Sequence, residues 1–196
     1  MSDHETTDEQ ASAPAKKLLT PRDITGFWLG LEEQAYWKKD PEFDALITRD
    51  YGNVLKQAKL GAMDNWCEDR EGVLALTIVL DQFSRNIHRG TPEMFAADEH
   101  ARTVANYAMR TEVINSFNQN ERRWFVMPFM HTEALREQRF CVAMCKRYEL
   151  DNTLAHAVEH MEIVKKFGRF PHRNEILGRP STPEEIEFLS SGGFAG

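Results

Sequence analysis

The chain has 196 residues, 41% of them apolar and 28% charged, with a net charge of −7. That length suits one globular domain with a sizeable core. The acidic balance opposes electrostatic capture of nucleic acid or of an anionic membrane surface, and no apolar run approaches the ~20 residues that span a bilayer.

The start, MSDHETTDEQASAPAKK, is polar and acidic and lacks an apolar secretion core. Residues 1–19 are therefore expected to be a disordered acidic tail, and 20–196 a single all-helical domain. Four places share one helix-start signature: Thr20-Pro21, Asp40-Pro41, Thr91-Pro92 and Thr182-Pro183. In each, a side-chain oxygen can cap free N–H groups, and proline fills the first position, where no N–H is needed. Thr20 with Asp23 and Thr182 with Glu185 resemble capping boxes.

Periodicity gives the bodies of the helices. Phe43, Leu46, Ile47, Val54, Leu55 and Ala58 recur at helical spacing, and Gly61 is a fitting stop. The run VLALTIVL, Val73 to Leu80, has no strand-like partner and is read as a buried central helix. Leu135, Ala143, Met144 and Tyr148 predict a helix over about 130–149, entered after a kink at Pro128. Leu154, Ala157, Val158, Met161, Val164 and Phe167 form another face, ended by Gly168. The fold class is all-α, with about seven or eight helices and no sheet, sequential pairs stacking as antiparallel hairpins. No clean tetratricopeptide repeat is present. Large aromatics such as Phe27, Trp28, Tyr36, Trp37, Trp66 and Trp124 are expected in the core. Cys67, Cys141 and Cys145 form no CxxC pair, which points to reduced thiols and a cytoplasmic setting, with Cys141 and Cys145 one turn apart as small buried hydrophobes.

Four constellations can carry chemistry. In LDQFSRNIHRG, Asp81 and Arg85 are spaced to pair on one helix face, with Gln82 and Asn86 on the adjacent one. Such a cluster is either a site or a self-satisfying network. In PFMHTE, His131 and Glu133 can work as an acid–base pair if an irregular turn brings both to one cleft. HAVEH, His156 to His160, matches the spelling of a helical zinc motif, but no further ligand is identifiable by spacing and no metal is assigned. The stretch KKFGRFPHRNEILGRPST concentrates Arg169, His172, Arg173 and Arg179 in a stiff loop of an acidic protein. These arginines pair either with the protein's own acids, such as Asp81, Asp98 or Glu133, or with an anionic ligand.

LDQFSRNIHRG, PFMHTE and HMEIVKKFGRFPHRNEILGRPSTPEEIEFL together resemble a bacterial family catalogued as domain of unknown function 924. The likeness extends through Phe27-Trp28, Phe43-Asp44 and GAMDNW and covers about Pro21 to Leu189. It implies an all-helical fold similar to tetratricopeptide-type stacks and brings no established reaction. The family-like positions are Asp81, Gln82, Phe83, Arg85, Asn86, Asp98, His131, Glu133, His160, Gly168, Arg169, Pro171, His172, Arg173 and Asn174. His156 lies outside that pattern, and Thr132 stands where the pattern usually has serine.

The mixture of residue types favours a small-molecule site. His131, Glu133 and His172 are the acid–base candidates. Arg85, Asn86, Asp81, Gln82, Asp98, His160, Arg169, Arg173 and Asn174 are the binding candidates. Hydrolysis, elimination or isomerisation is the chemistry such groups allow, and no cofactor is specified. The alternative is a tetratricopeptide-like scaffold that binds a peptide or protein partner, with the polar motifs as a structural network. Nucleic acid and membrane are not expected partners.

Overall fold

The computed structural model of the protein describes residues 18–194, so nearly all of the expected tail lies outside the described residues. Helix α1 (Pro21–Leu29) starts at Thr20 with the anticipated Thr20–Asp23 capping box, and α3 (Pro41–Lys59) starts at Asp40, whose carboxylate accepts from two free N–H groups. The short α2 (Glu33–Trp37) lies between them. Asp69 caps α4 (Arg70–Ile78), which continues without a break through a π-helical turn, Val79–Phe83, into α5 (Ser84–Ile87). Then come α6 (Asp98–Arg110), α7 (Gln119–Met130), α8 (Leu135–Arg147), α9 (Asp151–Phe167) and α10 (Pro183–Ser190). The described residues contain no strand, so the chain is all-α. Counting α4, the π turn and α5 as one rod gives nine helices among them; the five-residue α2 had no sequence signature.

The VLALTIVL run is the centre of the protein: every residue from Val73 to Leu80 is buried. Helices α1, α6 and α7 pack around α4, while α3 lies along the π turn and α5. The C-terminal half is layered in chain order, with α8 between α7 and α9. Short connections join those neighbours. Trp28 and Trp124 are core residues, but Trp37 is 53% exposed. Cys141 and Cys145 are buried and unpaired, as expected. A small second core of Ile163, Val164 and Phe170 is covered by Phe167, Phe188 and Phe194.

Two local expectations need correction. Thr91-Pro92 opens only a 3-10 turn, Pro92–Phe95, with no side-chain cap. Pro128 does not precede a helix starting near Met130; it sits inside α7, and the next helix begins at Leu135. Pro128 frees only the Trp124 carbonyl, four residues back, and stands two residues before α7 ends; α8 donates to other carbonyls near that end. Gln138 Nε2 donates to Met130 O at 2.6 Å and to Thr132 O at 2.7 Å, and Cys141 Sγ donates to Val126 O at 3.4 Å. Gly168 ends α9 in the left-handed conformation, φ 72°, and turns the chain into the arginine-rich loop.

Candidate functional site

The π turn inserts an extra residue into the helical ladder and lies in the middle of the Asp81 cluster; such turns recur at functional sites. Asp81 is buried. Its Oδ1 meets His131 Nδ1 at 2.8 Å and Arg85 Nη1 at 2.9 Å, while Oδ2 accepts from Gln82 Nε2 at 2.6 Å. Burial alone would raise this carboxyl, but Arg85 and His131 outweigh it and hold Asp81 at about 2. Arg85 also donates to Asp81 O at 2.7 Å and lies 3.0 Å from Asp98 Oδ1 as an ion pair, out of line for a hydrogen bond.

His131 caps the end of α7 and is carried from there to the π turn. Its side chain is 13% exposed, so it is both desolvated and reachable. Burial, then the Arg85 charge, pushes its pKa below 6.5 despite Asp81. A neutral His131 donates Nδ1–H to the ionised Asp81, leaving the Nε2 lone pair as an acceptor.

Arg173 closes this cluster from the loop. It is 8% exposed, yet no carboxylate pairs with it among the described residues. Nη2 donates to His131 O at 2.8 Å, whereas Nε is buried without a partner. The guanidinium carbon lies 4.5 Å from the Phe95 ring centroid and 4.6 Å from that of Phe170. Burial first, and the like charge of Arg85 next, bring its pKa down to about 10.

The loop's other arginines do something different. Glu133 accepts from Arg179 Nη1 at 2.7 Å, from Arg179 Nη2 at 2.9 Å and from the Phe170 backbone N–H at 2.8 Å. Arg169 holds Glu185 through Nε at 2.7 Å and Nη2 at 2.8 Å. Asn174 joins the two pairs, accepting from Arg179 Nε at 3.0 Å and donating to Glu185 Oε2 at 3.2 Å. Glu185 also completes the capping box with Thr182, so the lock is tied to the start of α10. Burial favours the neutral acid at Glu133, yet Arg179 and the Phe170 N–H keep its pKa below the usual range.

The expected His131–Glu133 pair is therefore split: His131 turns to Asp81 and Glu133 to Arg179. Of the candidates, Asp81, Gln82, Arg85, Asp98, His131 and Arg173 come together, and Glu133, Arg169 and Asn174 belong to the lock. Asn86 faces α3, donating to Asp44 Oδ1 at 2.8 Å beside the Arg89–Asp44 pair. His160 and His172 flank the cluster, both rings against Phe170 and Phe194. Burial lowers them to about 4 and about 3. His160 Nδ1 donates to His156 O, and His172 Nδ1 is buried without a partner.

His156 and Glu159 are exposed while His160 is buried, so the HAVEH residues do not share one face. The described residues contain no group of three or more His, Cys, Asp or Glu able to hold a metal. Sequence reasoning missed Phe95, Phe170 and Glu185; only the Thr182–Glu185 capping box offered a signal, and it revealed one of Glu185's two roles. Two hollows of about 260 and 300 Å³ lie elsewhere, the first lined by Phe167, Phe188 and Phe194, the second by Tyr36 and Arg123. Neither is lined by Asp81, His131 or Arg173.

A family model described as bacterial protein of unknown function (DUF924) matches residues 24–193. No curated protein matches the chain. The chain is similar to a solved structure, a protein of unknown function, ATU0120, from Agrobacterium tumefaciens. Identity is 37%, covering 88% of this chain and 97% of that one, with a TM-score of 0.82.

Proposed function

This chain belongs to the DUF924 family of bacterial proteins, and we propose that its Asp81–His131–Arg173 cluster binds a small anionic molecule and performs acid–base chemistry on it. The observation that carries this is the 2.8 Å contact between a fully buried carboxylate and a partly exposed imidazole, built on a π turn. A carboxylate holding one ring nitrogen sets the tautomer and leaves the other nitrogen as a base. His131 Nε2 is that base, and Asp81 and Arg85 position it. Arg173 is the anchor for the anion. Glu133, assigned above to the catalytic group, is here a structural residue of the lock. Ser84 is no nucleophile, since it is buried and its hydroxyl is directed at Glu93 O, 3.5 Å away. Proton transfer in a hydrolysis, elimination or isomerisation is the class of step these groups support. A cytoplasmic setting goes with this proposal, resting on three unpaired cysteines.

A second function, a tetratricopeptide-like scaffold for a peptide partner, is favoured by the hollow lined by Phe167, Phe188 and Phe194. A thermal-shift screen against small carboxylates, sulfate and phosphate separates the two. The small-molecule proposal expects at least one anion to stabilise the protein, and the shift to vanish in both Arg173→Met and His131→Gln. A shift that survives both substitutions overturns it.

A further inference from the structure

We infer that the ligand's anionic group is a single carboxylate, so that the substrate is a small organic acid; this rests on the anion site proposed at Arg173 and narrows it.

The first reason is charge. Arg85 is shared between Asp81 and Asp98, and the three histidines nearby are neutral near pH 7, so among the described residues Arg173 is the one cation in the cluster without its own carboxylate. Arg85 and Arg173 already balance Asp81 and Asp98. A monoanion leaves the cluster one negative charge in excess, and a dianion leaves it two. The second reason is desolvation. Two phenylalanine rings flank the guanidinium, so a ligand there loses most of its water. The cost of taking an ion out of water grows with the square of its charge, while attraction to one guanidinium grows only in proportion. A dianion therefore meets about four times the penalty for about twice the attraction. The third reason is shape. Arg173 Nη2 is already engaged by His131 O, and its buried Nε–H still lacks an acceptor. A planar carboxylate lies in the plane of such an N–H edge, as guanidinium–carboxylate pairs do. A tetrahedral oxyanion projects oxygens out of that plane and matches the edge less well.

The Arg173 Nε–H is a direct probe, and ¹H–¹⁵N spectra of the wild-type chain observe it without requiring a variant to bind. Its resonance is assigned by its loss in Arg173→Lys. Acetate, benzoate, methanesulfonate and sulfate are titrated at constant ionic strength. Acetate or benzoate is expected to shift this resonance saturably, at least tenfold more tightly than methanesulfonate or sulfate. Equal or tighter binding of either tetrahedral anion overturns the carboxylate assignment and leaves the anion site standing. If no anion moves the resonance, the assignment and the site both fail.

Discussion

Asp81 Oδ1 lies 2.8 Å from His131 Nδ1, across fifty positions of chain, and the same oxygen receives Arg85 Nη1 at 2.9 Å. One buried carboxylate thus orients the imidazole and neutralises the guanidinium.

Asp81→Asn is expected to strand Arg85 and to loosen His131. Removing one partner of a buried pair costs about 3 kcal/mol or more. Urea unfolding at pH 7 measures it. Destabilisation below about 1 kcal/mol would mean that Asp98 alone suffices for Arg85.

Arg173 and Glu133 should behave oppositely. Arg173 has no carboxylate of its own among the described residues, so Arg173→Met removes a desolvated charge and changes stability by no more than about 1 kcal/mol without ligand. Glu133→Leu removes both prongs of a partly exposed pair and the acceptor of the Phe170 N–H, and should cost about 1–2 kcal/mol. Chemical denaturation of both variants ranks them. The reverse order would make Arg173 a structural residue.

Acid should weaken the fold before the carboxylates titrate. His160 and His172 sit below 6.5 when folded, at about 4 and about 3, so the unfolded chain takes up protons first. Their contribution is complete above pH 6.5 and falls as pH decreases toward those values. Between pH 6.5 and 4.5 the loss is on the order of 2 kcal/mol for each histidine. Urea midpoints across this window should fall in the wild type and fall less in His160→Gln/His172→Gln. Parallel slopes would refute the assignment.

Two helical glycines give opposite expectations. At Gly72 an added Cβ would lie 2.1 Å from Trp66 O, where the turn before α4 crosses its first residues. Gly72→Ala should therefore destabilise by about 3 kcal/mol or more. At Gly52, inside α3, nothing lies within 4 Å, and Gly52→Ala should stabilise by about 0.5–1 kcal/mol. Thermal melts of the two variants test the packing of α4 directly.

Much of the secondary structure was legible because its causes are local. Thr20 and Thr182 cap helices through bonds to residues three positions away. Gly168 stops α9 by its own φ. The same locality explains the misses. Pro128 looks like a break, but where α7 ends depends on what satisfies its terminal carbonyls, and Gln138, which donates to Met130 O, comes from another helix. Asn118 and Glu121 form a third capping box of the same local kind.

The sequence alone determined an all-helical chain with a buried central helix, a polar cluster at that helix's end, and a stiff arginine-rich loop. Spacing, capping and apolar periodicity act within a few residues, so they need no knowledge of the rest. Only the tertiary structure decided which acid each arginine meets. Arg169 and Arg179 each have a carboxylate placed by a different segment, Glu185 on α10 and Glu133 after α7. Arg173 is enclosed by Phe95, Phe170 and the His131 carbonyl, with no acid of its own among the described residues. Its isolation is set by distances between residues far apart in the chain, and a buried charge feels those distances strongly because little water is left to screen them.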